Sequence, residues 1–147
     1  MFHQLMNFLK SAEPARKAPD LRTAVAILLL EAAHRDDTFT SEERAVIERL
    51  LMAKFALSKE ECTQLLASCE ETIARMVQLH PYTHAVFEQM DPEERVNLIE
   101  MLWEVAYADG VLDPEEDALI RRLGGLIYVT DRDRMLARQR VLSRLKI

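Results

Sequence analysis

Residues 31–50 align without gaps on residues 104–123, and nine of the twenty pairs are identical: Glu31/Glu104, Ala33/Ala106, Asp36/Asp109, Glu42/Glu115, Glu43/Glu116, Ala45/Ala118, Ile47/Ile120, Arg49/Arg122 and Leu50/Leu123. A period of 73 residues exceeds any single supersecondary element, so the chain is read as one unit written twice. The offset extends to Phe55 against Tyr128 and to the capping residue Ser58 against Asp131, which makes each unit about three helices long. Two copies are too few for a solenoid. They fit a compact bundle in which each unit buries the other's apolar face, related by approximate two-fold symmetry.

The helical reading rests on capping chemistry. A side-chain oxygen ahead of the first turn and a Glu three residues later satisfy amides that the helix leaves orphaned. That signal occurs at Thr40 to Glu43, Ser58 to Glu61, Asp91 to Glu94 and Asp113 to Glu116, the last two with Pro in the first turn. With Asp20 and Thr130-Asp131 as weaker caps, the sequence predicts helices near 2–10, 20–35, 41–56, 59–78, 92–108, 114–128 and 131–145, and a short one near 82–89. With only 3 Gly and 5 Pro in 147 residues, the frequent turns of a sandwich or barrel are excluded. The expected fold is all-α, a bundle of seven to eight helices with units at about 20–78 and 92–146.

Apolar stripes define the core faces. Val46, Ile47, Leu50, Leu51 and Phe55 recur at helical spacing, as do Leu98, Met101, Leu102, Val105 and Ala106. Residues 1–19 read as an addition: an amphipathic segment with Phe2, Leu5, Met6, Phe8 and Leu9, then a Pro-containing linker. Packing on its own bundle is the favoured role of that segment, ahead of a partner or a membrane reached through residues 2–9. The longest apolar run, Ala24 to Leu30, is far short of the roughly 20 residues that span a bilayer.

The net charge of −6 argues against a nucleic-acid partner and favours cations or proteins. Cys62 and Cys69 stand seven residues apart in one predicted helix. That is about 10 Å along the axis, too far for a disulfide. They are expected to be buried thiols of a cytoplasmic protein.

Between its first two helices each unit carries an acidic turn, and from Val96 to Ile120 there are seven carboxylates and no Lys or Arg. Calcium, which takes six to eight oxygens, is the first cation to test. An EF-hand loop laid on 105–116 places Asp109, Gly110, Asp113 and Glu116 acceptably, but its first and third ligands fall on Val105 and Tyr107, and in the first unit on Ala32 and His34. An ordinary EF-hand is excluded. The remaining candidate metal ligands are Asp36, Asp37 and Glu43, with the Thr40 oxygen, in one unit and Asp109, Asp113 and Glu116 in the other, and the repeated Glu31 and Glu104 are further candidates. Capping accounts equally well for Glu43, Asp113 and Glu116, and Asp109 can serve a turn through its own backbone. A divalent-cation site and plain turn-and-cap chemistry therefore both stand.

The run Tyr107-Ala108-Asp109-Gly110-Val111-Leu112-Asp113-Pro114-Glu115-Glu116 resembles the signature of TerB-like tellurite-resistance proteins, over roughly residues 20–145. That resemblance implies an all-helical domain with pseudo-two-fold symmetry, tied to tellurite and other stress responses, with proposed divalent-metal binding through the acidic loops. By position it points to Asp109 and Glu116, and to Asp36 and Glu43. The motif Gly is Asp37 in the first unit, a departure that makes a left-handed turn there costlier. Related domains also accompany a J-domain, but His80-Pro81-Tyr82 is not its His-Pro-Asp.

No catalytic pattern emerges. Pro81 is expected to push His80 out of the helix, leaving His80 and His84 on a surface turn rather than on a metal. The basic residues Arg132 to Lys146 are expected to be solvated or to face the acidic loops. The favoured reading is a non-enzymatic stress-response module with a divalent cation and a protein partner, against a scaffolding interaction domain without metal.

Overall fold

A computed structural model describes residues 19–33, 39–75 and 78–147, so the expectations for residues 1–18 and for Asp36 and Asp37 lie outside the described residues. Seven helices and no strand occur among the described residues: α1 (Leu21–Ala33), α2 (Ser41–Phe55), α3 (Lys59–Arg75), α4 (His80–Gln89), α5 (Pro92–Ala106), α6 (Pro114–Leu126) and α7 (Asp131–Leu145). The all-α expectation holds.

Helices α1 and α5 form the centre. Every residue from Ala24 to Leu30 is fully buried, and α5 is buried from Met101 through Ala106, including the indole of Trp103. Stretches buried on all sides need a shell of neighbours. α1 packs on α2 and α3, and α5 packs on α6 and α7; α1 also meets α5 and α6, while α5 meets α2. The contacts among α1, α2 and α3 match those among α5, α6 and α7 in which helices meet. α4 is the exception, an inserted helix lying on α1 and α6.

The caps carry out their predicted work. Asp20 Oδ1 accepts from the Thr23 amide at 2.7 Å, and reciprocal boxes close at Thr40/Glu43, Ser58/Glu61 and Asp91/Glu94. The fourth box differs. Asp113 accepts from Glu115 N, not from Glu116 N.

The cap of α7 is Thr130, whose hydroxyl takes the Asp133 amide, so the caps Ser58 and Thr130 stand 72 residues apart and not the 73 of the sequence alignment. The left-handed residues after α2 and α6, Ala56 and Tyr128, are also 72 apart, Ala56 as the C-cap of its helix and Tyr128 one residue past the C-cap Ile127. α6, with 13 residues, is two shorter than α2, with 15. The new register places Cys62 opposite Arg134 and Cys69 opposite Val141, all four of them buried.

Two further expectations change. α4 begins at His80 and not at 82, because Pro81 falls in the first turn, where its missing N–H has no helical partner to lose. The basic face of α7 meets helix α5 at Glu100 and Glu104, and reaches the start of the second acidic turn through Arg138 on Tyr107. Arg140 and Arg144 pair with Glu100 at 3.1 and 3.3 Å, and Arg144 reaches Glu104 at 2.6 Å.

Candidate functional site

The second acidic turn begins where α5 stops. The Gly110 amide donates to the Tyr107 carbonyl at 2.9 Å, and Gly110 adopts φ +85°. A Cβ there would meet nothing within 4 Å, so glycine serves the left-handed conformation and not a close approach. Asp109 then closes the turn, its Oδ1 accepting from Val111 N at 3.1 Å. Asp113 starts α6 with its Oδ1 on the Glu115 amide at 2.8 Å. Each carboxylate thus commits one oxygen to the backbone.

The turn is anchored from behind. Tyr107 is buried, its hydroxyl accepts from Arg138 Nε at 2.9 Å, and the Arg138 guanidinium lies 5.8 Å from the Trp103 ring and 5.9 Å from that of Tyr107. One α7 side chain therefore fixes the residue that opens the motif. This was not legible from spacing, because Arg138 belongs to the last helix and no local pattern marks its partner.

The four Glu residues at the box positions separate into two classes. Glu61 and Glu94 are exposed and cap their helices in the ordinary way. Glu43 and Glu116, at the starts of the two helices that follow acidic turns, are each only 5% exposed. Glu43 Oε1 accepts from both the amide and the hydroxyl of Thr40 at 3.0 Å. Capping explains where these Glu residues stand. Burial is what sets this pair apart from the other.

The donor chemistry is uniformly that of hard oxygens, suited to calcium, magnesium or manganese and not to thiolate-preferring ions. Asp109 is exposed, Asp113 half-buried and Glu116 buried along one turn and helix start. Among the described residues no group of three or more acidic, His or Cys side chains converges on a point that could hold a metal ion. A complete shell therefore needs water, backbone carbonyls or residues 34–38 of the first turn.

A different acidic residue is built into the frame. Glu104, the repeat partner of Glu31, receives Arg49 of α2 at 2.7 Å and Arg144 of α7 at 2.6 Å. Burial pushes its carboxyl up, but the two guanidinium groups outweigh that and hold it below the ordinary range. Glu31 forms no such pair among the described residues. Glu104 is a clasp for α2, α5 and α7. At the other end of α5, Asp91, Glu93, Glu94, Asn97 and Glu100 line a groove of about 680 Å³ that faces Arg140 and lies apart from the motif.

Both cysteines are free and buried, and burial, with Asp20 and Glu70 nearby, pushes the Cys69 thiol up to about 11. His80 and His84 stack at 5.6 Å on the exposed face of α4, with His84 paired to Glu88 at 3.0 Å.

Comparison with curated proteins and with solved structures gives no match in either case. The family model described as tellurite resistance protein TerB matches residues 22–139, from the first turn of α1 into α7, and takes in both units and the motif turn. The chain belongs to the TerB family.

Proposed function

We propose that this chain is a non-enzymatic, cytoplasmic TerB module of a tellurite or related stress response, which takes up a hard divalent cation at its acidic turns and acts through a protein partner. The observation that carries the reading is the paired burial of Glu43 and Glu116, while Glu61 and Glu94 in ordinary boxes stay exposed. Glu116, with half-buried Asp113 and exposed Asp109 in the turn before it, supplies charge and oxygens of the kind calcium or manganese takes. When bound, the ion would neutralise carboxylates crowded at a helix start. Asp109, Asp113 and Glu116 would hold it from the second unit; Asp36, Asp37 and Glu43 are the candidates from the first.

A non-catalytic role is supported by the thiols. Groups buried and held protonated are poor nucleophiles. Reduced, buried cysteines also fit a cytoplasmic setting. No helix among the described residues is long and apolar enough to cross a membrane.

The test is thermal unfolding of chelator-treated protein titrated separately with calcium, magnesium, manganese and zinc. An ion at 100 times its dissociation constant stabilises the fold by about 2.7 kcal/mol. Asp109→Asn keeps the oxygen that accepts from Val111 while removing the charge, so it isolates ligation from turn geometry. The proposal expects a cation-specific rise in the transition that this variant diminishes. No rise with any ion, or a rise that the variant leaves unchanged, contradicts it.

A further inference from the structure

We infer that the apolar residues of segment 2–9 dock on an aromatic patch formed by α4 and the end of α6. The patch centres on Phe87 and Tyr128, whose rings lie 4.7 Å apart and which are 38% and 72% exposed. Leu126, two residues earlier on the same helix end, is 40% exposed. Exposed apolar clusters of this kind mark contact sites more often than isolated apolar residues do.

The patch is held rigid. The Arg95 guanidinium sits 4.9 Å from the Phe87 ring centre and donates to the Ile127 carbonyl at 2.9 Å, joining the two halves from beneath. Tyr128 is presented outward in the left-handed region, φ +62°, an unusual conformation for an aromatic residue, fixed by the bond from the Val129 amide to the Gly124 carbonyl at 2.8 Å. The fold thus maintains an exposed ring at a conformational cost.

The occupant is identified by where the chain arrives. Gln89 Nε2 donates to the Pro19 carbonyl at 3.2 Å, so the point at which residues 1–18 join the bundle is tied to the last turn of α4, two residues after Phe87. The nine residues 10–18 reach about 30 Å when extended, ample for bringing residues 2–9 back over the same helix. Phe2, Leu5, Met6, Phe8 and Leu9 provide the matching apolar face.

The experiment uses the full chain with a nitroxide attached through Asn7→Cys. Cys62 and Cys69 are buried, and their raised pKa values leave them unlabelled. The amides of residues 86–88 and 126–129 are expected to lose at least half of their intensity, while those on the exposed face of α3 keep theirs. Adding Phe8→Asp to the labelled chain should restore the lost signals. Even broadening over the surface, strongest broadening elsewhere, or broadening unaffected by Phe8→Asp overturns the assignment. So does broadening carried between molecules in a mixture of spin-labelled and isotope-labelled chains, which would make a second copy the occupant.

Discussion

Replacing Glu104 by Gln keeps the side chain's shape and removes the charge that joins three helices. In the native clasp the Glu104 carboxylate, 8% exposed, accepts charge-assisted bonds from Arg49 at 2.7 Å and Arg144 at 2.6 Å. Hydrogen bonds to charged groups contribute about 1.5–3 kcal/mol each when well shielded. The guanidinium side chains are 61% and 49% exposed, so solvent screens much of that. A total loss of about 1–2 kcal/mol is expected at pH 7, equivalent to a fall of roughly 3–6 °C in Tm for a domain of this size. The pH dependence has a definite sign. Because the folded carboxyl titrates below its unfolded value of about 4.3, its contribution is present above that value and disappears as pH falls through the folded pKa. Thermal unfolding of parent and Glu104→Gln from pH 7 to pH 3 should show two curves converging in acid. Equal stability at pH 7, or a gap that persists unchanged to pH 3, refutes the clasp.

Gly110→Ala should lower stability by about 1 kcal/mol in chemical denaturation, because the cost lies in φ +85° and not in space. Leu102→Ala, at a fully buried position of α5, should cost about 2–5 kcal/mol by the same measurement, and an effect under 1 kcal/mol would contradict its place in the core. Thr40→Ala should destabilise by about 1 kcal/mol, since it removes the Glu43 amide's acceptor and one donor to the buried Glu43 carboxylate. Neither Cys62 nor Cys69 should react with a thiol reagent at pH 8 in the native protein, and both should titrate after unfolding; fast native labelling would contradict their burial.

The helices were legible because caps are local. An oxygen and a Glu three residues apart are visible in any single stretch of sequence, and Thr40, Ser58 and Asp91 all cap as their spacing implies. The 73-residue offset read from the identities does not carry past the end of α6, where the caps Ser58 and Thr130 stand 72 apart. The identity of residues fades there, and Tyr128 mimics Phe55 although its structural counterpart is Ala56. Proline misled at α4 because a residue that disfavours a helix interior is at home in the first turn.

The site was legible only as a composition. Spacing located Asp109, Asp113 and Glu116, and it offered capping as the equal explanation of all box Glu residues. Burial separates them, and burial is a tertiary property that Glu43 and Glu94 do not betray locally. The same holds for Arg138 on Tyr107 and for the Arg49, Glu104 and Arg144 clasp, whose members are 31 to 55 residues apart.

The most direct test of the cation reading is a manganese titration followed by the spin-resonance signal of the free ion, repeated with calcium as competitor. The account predicts a saturable loss of free manganese on the full chain, displaced by calcium and reduced at least tenfold in affinity by Asp109→Asn, whose turn remains intact. Free manganese equal to total manganese throughout, or binding that Asp109→Asn leaves unchanged, contradicts it.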